Sequence, residues 1–313
     1  MRFFRKAKTN DGLLAFAFPA DGVLSAIVRR VTGARPVVEL ARFFPLPTLD
    51  ADGFEKIGKE LRAAGYTCGT VLAGTQYQIL SVEAPNVPPD ELKTAVRWRL
   101  KDMLDFHIDD ATIDVLDVPV DRNGAGRTHN MFAIAARNAL VKSRQDLFAD
   151  AKVPLSIIDI PEMAQRNVAA LVEPEGRALA MLSLSDDGGL LTVTYAGELH
   201  LARRIDISME ALTSDDYDRR NAMFDRITLE LQRSLDHFDR QFSYLSLAKL
   251  VLAPTVVQGL EEYLSSNLYT PVVSMDLAAV LDFDALPELQ DKAMQQRFFM
   301  TLGAALRHEE VAL

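Results

Sequence analysis

The sequence predicts an α/β protein of two lobes, and three observations predict it. The first is Arg177–Ile207, RALAMLSLSDDGGLLTVTYAGELHLARRIDI, with three apolar, β-favouring runs (Ala178–Ser185, Leu190–Tyr195, Glu198–Ile205). They are separated by Asp186-Asp187-Gly188-Gly189 and Ala196-Gly197, and short runs joined by Asp-Gly or Gly turns are the signal of antiparallel hairpins. The second is a similar meander at the start: Leu13–Phe18, the turn Pro19-Ala20-Asp21-Gly22, then Val23–Val31 and Pro36–Phe44. The third is that alternating helices and strands follow each meander, so the chain reads as two copies of a β-β-β-α-β-α plan.

After the first meander, Leu49–Ala64 reads as a helix, with Phe54, Ile57 and Leu61 at helical spacing and Gly65 as its stop. Thr67–Ala73 is a buried strand. From Ile79 the character changes: Ile79–Val82 is a strand, Ala84–Pro89 a rigid connection, and Pro89–Leu104 a helix opened by Pro-Asp-Glu. On that helix Leu92, Val96, Leu100, Met103 and Leu104 make an inward stripe. Thr112–Val120 and Met131–Ala136 pair across a loop whose Gly124-Ala125-Gly126 is a turn. Asn138–Ala151 is a helix, Leu155–Ile160 a strand and Pro161–Leu171 a helix. The second copy runs on through a long helix, Arg220–Phe242, with Met223, Ile227, Leu231, Leu235, Phe238 and Phe242 inward. Then come strand Lys249–Ala253, helix Thr255–Ser266, strand Pro271–Met275 and helix Lys292–Arg307. The expected organisation is a first lobe over 1–78 completed by 154–176, an α+β insert over 79–153, and a second lobe over 177–313 ending in helix 291–307.

Composition narrows the function. A length of 313 residues allows two cores. A net charge of −10 argues against a nucleic-acid surface; the arginines that cluster, Arg219, Arg220, Arg226, Arg233 and Arg240, alternate with acids, as on a solvated helix face. The single cysteine, Cys68, permits no disulfide framework and reads as core in a reducing compartment. No run suits a membrane span, and Met1–Lys8 has a basic end without the apolar stretch of a secretion signal; it reads as a frayed terminus, with contact to an anionic membrane as the alternative. There is no Gly-x-x-x-x-Gly-Lys-Ser/Thr loop, Gly-x-Ser-x-Gly elbow or His-Glu-x-x-His, and the five histidines lack metal spacing. No catalytic residue and no metal site is assigned.

Three stretches carry a resemblance: Val82-Glu83-Ala84-Pro85 followed by Glu91–Trp98, Asp114 and Ala135-Ala136-Arg137; then Glu230–Phe238; then Leu302-Gly303-Ala304-Ala305-Leu306-Arg307. In order and spacing they resemble the type IV pilus assembly family of PilM and its relative MshI, counterparts of the cell-division protein FtsA. The resemblance implies an actin-like body with a small inserted subdomain. It also implies a cytoplasmic protein, peripheral to the inner membrane, that binds nucleotide and grips the N-terminal cytoplasmic tail of an inner-membrane partner of PilN type.

In such a fold two hairpins and a Gly-rich turn receive ATP and magnesium, because bound phosphate needs backbone amides that face it closely. Here all three depart from the pattern. The first hairpin, with Asp21 and Gly22, lacks Asp-x-Gly, and its Pro19 has no amide to donate. In the second, Ser183 and Ser185 replace the family's Asp and Gly, with Asp186, Asp187 and Gly188 in the turn. At the adenosine turn, Leu252-Ala253-Pro254-Thr255 replaces glycines. Asp186-Asp187 reads as a hairpin turn, with a displaced magnesium site as the rival. Glu230 and Arg233, on the helix that borders the adenosine in relatives, read as part of a salt-bridge lattice with Arg226 and Asp236. The cleft is thus expected to be degenerate, with no cofactor; the alternative is a working ATP-binding protein, and a third reading is a self-assembling polymer former.

What remains is a gripping surface. Trp98, the only tryptophan, points away from the inward stripe; it either covers the seam between insert and first lobe or marks a docking surface. The resemblance implies an extended peptide in that seam, and the candidate residues are Gln76, Tyr77, Arg97, Trp98, Asp102 and Arg137.

Overall fold

The computed structural model describes residues 12–88, 91–119 and 129–308; Met1–Lys8 and the Gly124–Gly126 turn lie outside them. Two five-stranded sheets have the same order. In the first, β1 (Leu13–Ala17), β2 (Gly22–Arg29) and β3 (Val37–Pro45) form an antiparallel meander. Strands β4 (Thr67–Val71) and β8 (Leu155–Asp159) add in parallel, giving β3-β2-β1-β4-β8. In the second, β9 (Ala178–Ser185), β10 (Gly188–Tyr195) and β11 (Glu198–Ile205) are the meander. Strands β12 (Leu247–Leu252) and β13 (Val272–Ser274) complete the order β11-β10-β9-β12-β13. A separate three-stranded sheet, β5-β7-β6, is formed by β5 (Tyr77–Glu83), β6 (Ala111–Asp117) and β7 (Asn130–Arg137).

Local chemistry sets the helix bounds. Helix α1 (Ala51–Glu60) starts where the Asp50 carboxylate accepts the Gly53 amide at 2.7 Å. Helix α2 (Leu92–Leu100) stops earlier than its apolar stripe suggests: the Met103 amide bonds to Leu100 in a tightened turn, and Met103 is exposed, not inward. Helix α3 (Asn138–Asp150) follows β7 directly, and α4 (Pro161–Ala169) opens on proline. After the single turn α5 (Met209–Leu212), α6 (Tyr217–Gln241) starts at Asp216, whose carboxylate takes the Asp218 and Arg219 amides. Helix α7 (Leu260–Asn267) does not reach back to Thr255, because Gly259 adopts φ +77°, outside the right-handed helix. Asp291 caps the last helix, α8 (Lys292–Ala305).

Alternation along β1 sorts the first lobe into two cores. Leu14 and Phe16 face α1 and α3 with Phe54 and Phe148, whose rings meet edge to face at 4.8 Å. Helix α3, read from the sequence as part of 79–153, therefore packs Phe148 into the first lobe. Ala15, with Leu24 and Ala26, faces α8 instead, where Phe298 and Leu302 lie. Helices α4 and α8 cross between the two large sheets, and Asn167 on α4 donates to the Gly303 carbonyl at 2.9 Å. Sheet β5-β7-β6 has its own small core, with Val96 and Leu100 of α2 against Val82, Met131 and Ala133. Among the described residues no helix is long and apolar enough to cross a membrane.

Candidate functional site

The crossing helices bring together the turns that the sequence assigned to a cleft, and every turn is tied to a neighbour. Asp21 accepts from Arg297 of α8 at 2.5 Å, and that guanidinium lies 3.8 Å over the Phe43 ring. Gly22 is required by a close approach, since a Cβ there would fall 2.1 Å from the Phe44 carbonyl. Ser183 is buried and donates to Gln165 Oε1 at 2.5 Å. The Gln165 amide donates to the Met181 and Leu190 carbonyls and to Thr192.

Ser185 bonds within its own turn to the Gly188 carbonyl at 3.4 Å, and Gly188 takes φ +107°, which favours glycine. Asp186 is exposed. Asp187 reaches across to the other lobe, accepting the Gly74 amide at 3.0 Å. Pro254 is buried behind β12, and Gln296 of α8 bridges its turn: it accepts the Val256 amide at 2.9 Å and donates to the Leu184 carbonyl at 3.1 Å. Glu230 and Arg233 pair at 3.0 Å on the surface of α6. Arg226 does not join that pair; it leaves the helix to meet Asp206 at 2.7 Å.

Beside the Gly74 loop is a charged cluster built on a buried carboxylate. Glu162 on α4 is fully buried; Tyr77 donates to one of its oxygens, and Arg204 on β11 donates to the other at 2.9 Å and also to the Tyr77 hydroxyl. Burial first, then the neighbouring Glu162 carboxylate, pushes the Tyr77 phenol well above its usual range. Gly74 has no room for a Cβ, which would overlap Arg204. The sequence pointed to Tyr77 for a different reason and missed Glu162, Gln165, Arg204 and Gln296. For Glu162 and Gln165 the one signal is that they are polar residues on a helix, α4, that is buried almost all round.

At the seam, Gln76, Tyr77 and Arg137 sit at one end of sheet β5-β7-β6, where Tyr77 pairs with Ala136 and Ala111 with Arg137. Gln76 accepts the Ala73 amide at 2.9 Å. Arg97 reaches the same end, donating to the Ala111 carbonyl at 3.3 Å and to Asp109 at 3.0 Å. Arg137 stacks on Phe106 at 4.4 Å and pairs with Asp105 at 3.7 Å. Asp102 is exposed just past α2. Trp98 is 72% exposed, so it does not cover the seam; the inward face of α2 is taken by Val96 and Leu100. A shallow groove on the other side of this sheet, lined by Ile79, Ser81, Phe132, His200 and His237, separates it from the second lobe.

No family model matches the chain, and no curated protein sequence matches it. Among solved structures it is similar to the PilM–PilN type IV pilus biogenesis complex, with a TM-score of 0.73 at 20% identity over 94% of this chain and 98% of that one. It is also similar to a Bacteroides thetaiotaomicron protein of actin-like ATPase fold and unknown function, with a TM-score of 0.51 at 10% identity over 93% and 99% of the two chains. The paired five-stranded sheets, the crossing helices and the inserted small sheet are thus an actin-like fold of the kind seen in PilM.

Proposed function

We propose that this chain is an adaptor of a type IV pilus assembly platform, holding the N-terminal cytoplasmic tail of an inner-membrane partner of PilN type, and that its inter-lobe cleft does not turn over ATP. The observation that carries the proposal is the likeness to the PilM–PilN complex along nearly the whole of both chains, insert included. In this reading the protein works at the cytoplasmic face of the inner membrane and reaches the bilayer through its partner. The tail lies as an extended peptide near the end of sheet β5-β7-β6 that gathers Gln76, Arg97 and Arg137.

Support for an inactive cleft comes from what already occupies its polar groups. Asp21, Asp187 and Ser183 are engaged by Arg297, Gly74 and Gln165, and prolines stand at positions 19 and 254. A magnesium ion or a phosphate would have to displace those contacts. Calorimetric titration of the protein with a synthetic partner tail, and separately with ATP and magnesium, tests both halves. Tail binding without heat from ATP is expected. Micromolar ATP binding would overturn the inactive cleft and favour a nucleotide-driven switch, while absence of tail binding by folded protein would overturn the adaptor.

A further inference from the structure

We propose that Arg144 is the cationic half of an oxyanion site on the first lobe, built to take a carboxylate or phosphoryl group from outside the chain. The side chain leaves α3 and is only 8% exposed, with its guanidinium 4.5 Å above the Phe18 ring. Its Nε is sealed from solvent without a hydrogen bond. Among the described residues no carboxylate pairs with the side chain and no carbonyl accepts from it.

Arginines that are only partly removed from water are answered. Arg166 meets Glu198 at 3.4 Å and Asn167 at 3.1 Å, and Arg307 meets Asp159 at 2.9 Å. An arginine side chain largely taken out of water without a partner is disfavoured, and burial accordingly pulls its pKa below the usual arginine value. The contact with the Phe18 face offsets part of that cost, yet a methionine would fill the space with no charge to desolvate.

The place also fits a receptor. Phe18, next to the β1–β2 turn, packs with Phe54 and Phe148 on the face of the first sheet turned away from α8. Helix α3 arrives there from β7, so the guanidinium stands where the insert meets the first lobe. A planar fork of donors is matched by two oxygens on one atom, the geometry of a carboxylate or a phosphoryl group. The group can come from a free anion or from an acidic side chain of a docked peptide.

Nitrogen-15 spectra of the full chain, following the Arg144 Nε–Hε signal during titration with sodium phosphate and, separately, sodium acetate at constant ionic strength, test the proposal. The signal is assigned by its loss in Arg144→Lys and Arg144→Met. A saturable shift accompanied by a rise in Tm is expected, with affinity roughly tenfold or more weaker in Arg144→Lys. Without added anion, Arg144→Met is expected to melt above the parent and to lose the anion-dependent increment. A response to phosphate alone assigns a phosphoryl group, and a response to acetate assigns a carboxylate. No shift with either salt at concentrations that saturate a millimolar site, or an increment unchanged in Arg144→Met, overturns it.

Discussion

Gly303 of α8 lies against the carbonyl of Ala164 on α4: a Cβ built on Gly303 would fall 2.3 Å from that oxygen and 3.2 Å from a Val168 methyl. The two helices that join the lobes therefore touch backbone to backbone, and only glycine permits it. Gly303→Ala has to push them apart, and a loss of about 1–3 kcal/mol in urea unfolding is expected.

Arg204 is the cation for a carboxylate with no access to water. Arg204→Met leaves Glu162 buried beside a single phenol, and a loss of about 2–4 kcal/mol is expected. Combining it with Glu162→Gln recovers part of the loss. A double-mutant cycle with no coupling would contradict the geometry.

Tyr77 gives this cluster a signature in alkali. Its folded pKa lies above the ordinary value of about 10, raised by burial and then by Glu162. Stability from this group is complete below that ordinary value and is lost as pH rises beyond it. Tyr77→Phe is expected to cost about 1–2 kcal/mol at pH 8 and to flatten the decline above pH 10, as read by denaturation at several pH values.

His200 works in the opposite direction. Burial between the rings of Tyr195 and Phe242 lowers its pKa from the ordinary value of about 6.5, despite the bond to the Glu198 carbonyl and the nearby Glu173 and Glu198 charges. Its neutral form stabilises the fold above that value, and the contribution fades as pH falls through the folded pKa. Imidazole signals followed by NMR are expected to titrate below the free value, and His200→Phe to flatten the acid limb.

Trp98 carries little of the fold. Trp98→Ala is expected to change stability by no more than about 0.5 kcal/mol. The native indole, the only one in the chain, is expected to be quenched by iodide. If a partner tail docks over it, protection from iodide appears on binding; unchanged quenching with tail bound puts the contact elsewhere.

The meanders were legible because local chemistry writes them: apolar runs between Asp, Gly and Ala-Gly turns. Even there a detail moved, since Gly188 and Gly189 belong to β10 and the turn is only Asp186-Asp187. The expected helix Thr255–Ser266 begins too early because the break at Gly259 lies in its backbone angle, which residue identity alone suggests only weakly. Helical spacing places Arg226 in a lattice with Glu230, but its side chain meets Asp206 instead, because the segment after β11 offers a second carboxylate. The cluster of Tyr77, Glu162 and Arg204 was illegible for a more general reason. Tyr77 and Arg204 are 127 positions apart, and nothing local in either neighbourhood records the other. Polar groups inside α4 signalled that something buried had to answer them, without naming what.

Cys68 makes the molecule convenient to instrument. Its thiol is buried in the first-lobe core and pushed up to about 12 by desolvation, so almost none of it is thiolate at neutral pH. It is the sole cysteine of the chain. Dyes or spin labels can therefore be attached at a single introduced thiol on the native background, with Trp98→Cys on the insert and Tyr269→Cys before β13 offering two well-exposed anchor points. A doubly labelled protein would measure the spacing between insert and second lobe directly, with and without a partner, and with no core residue altered.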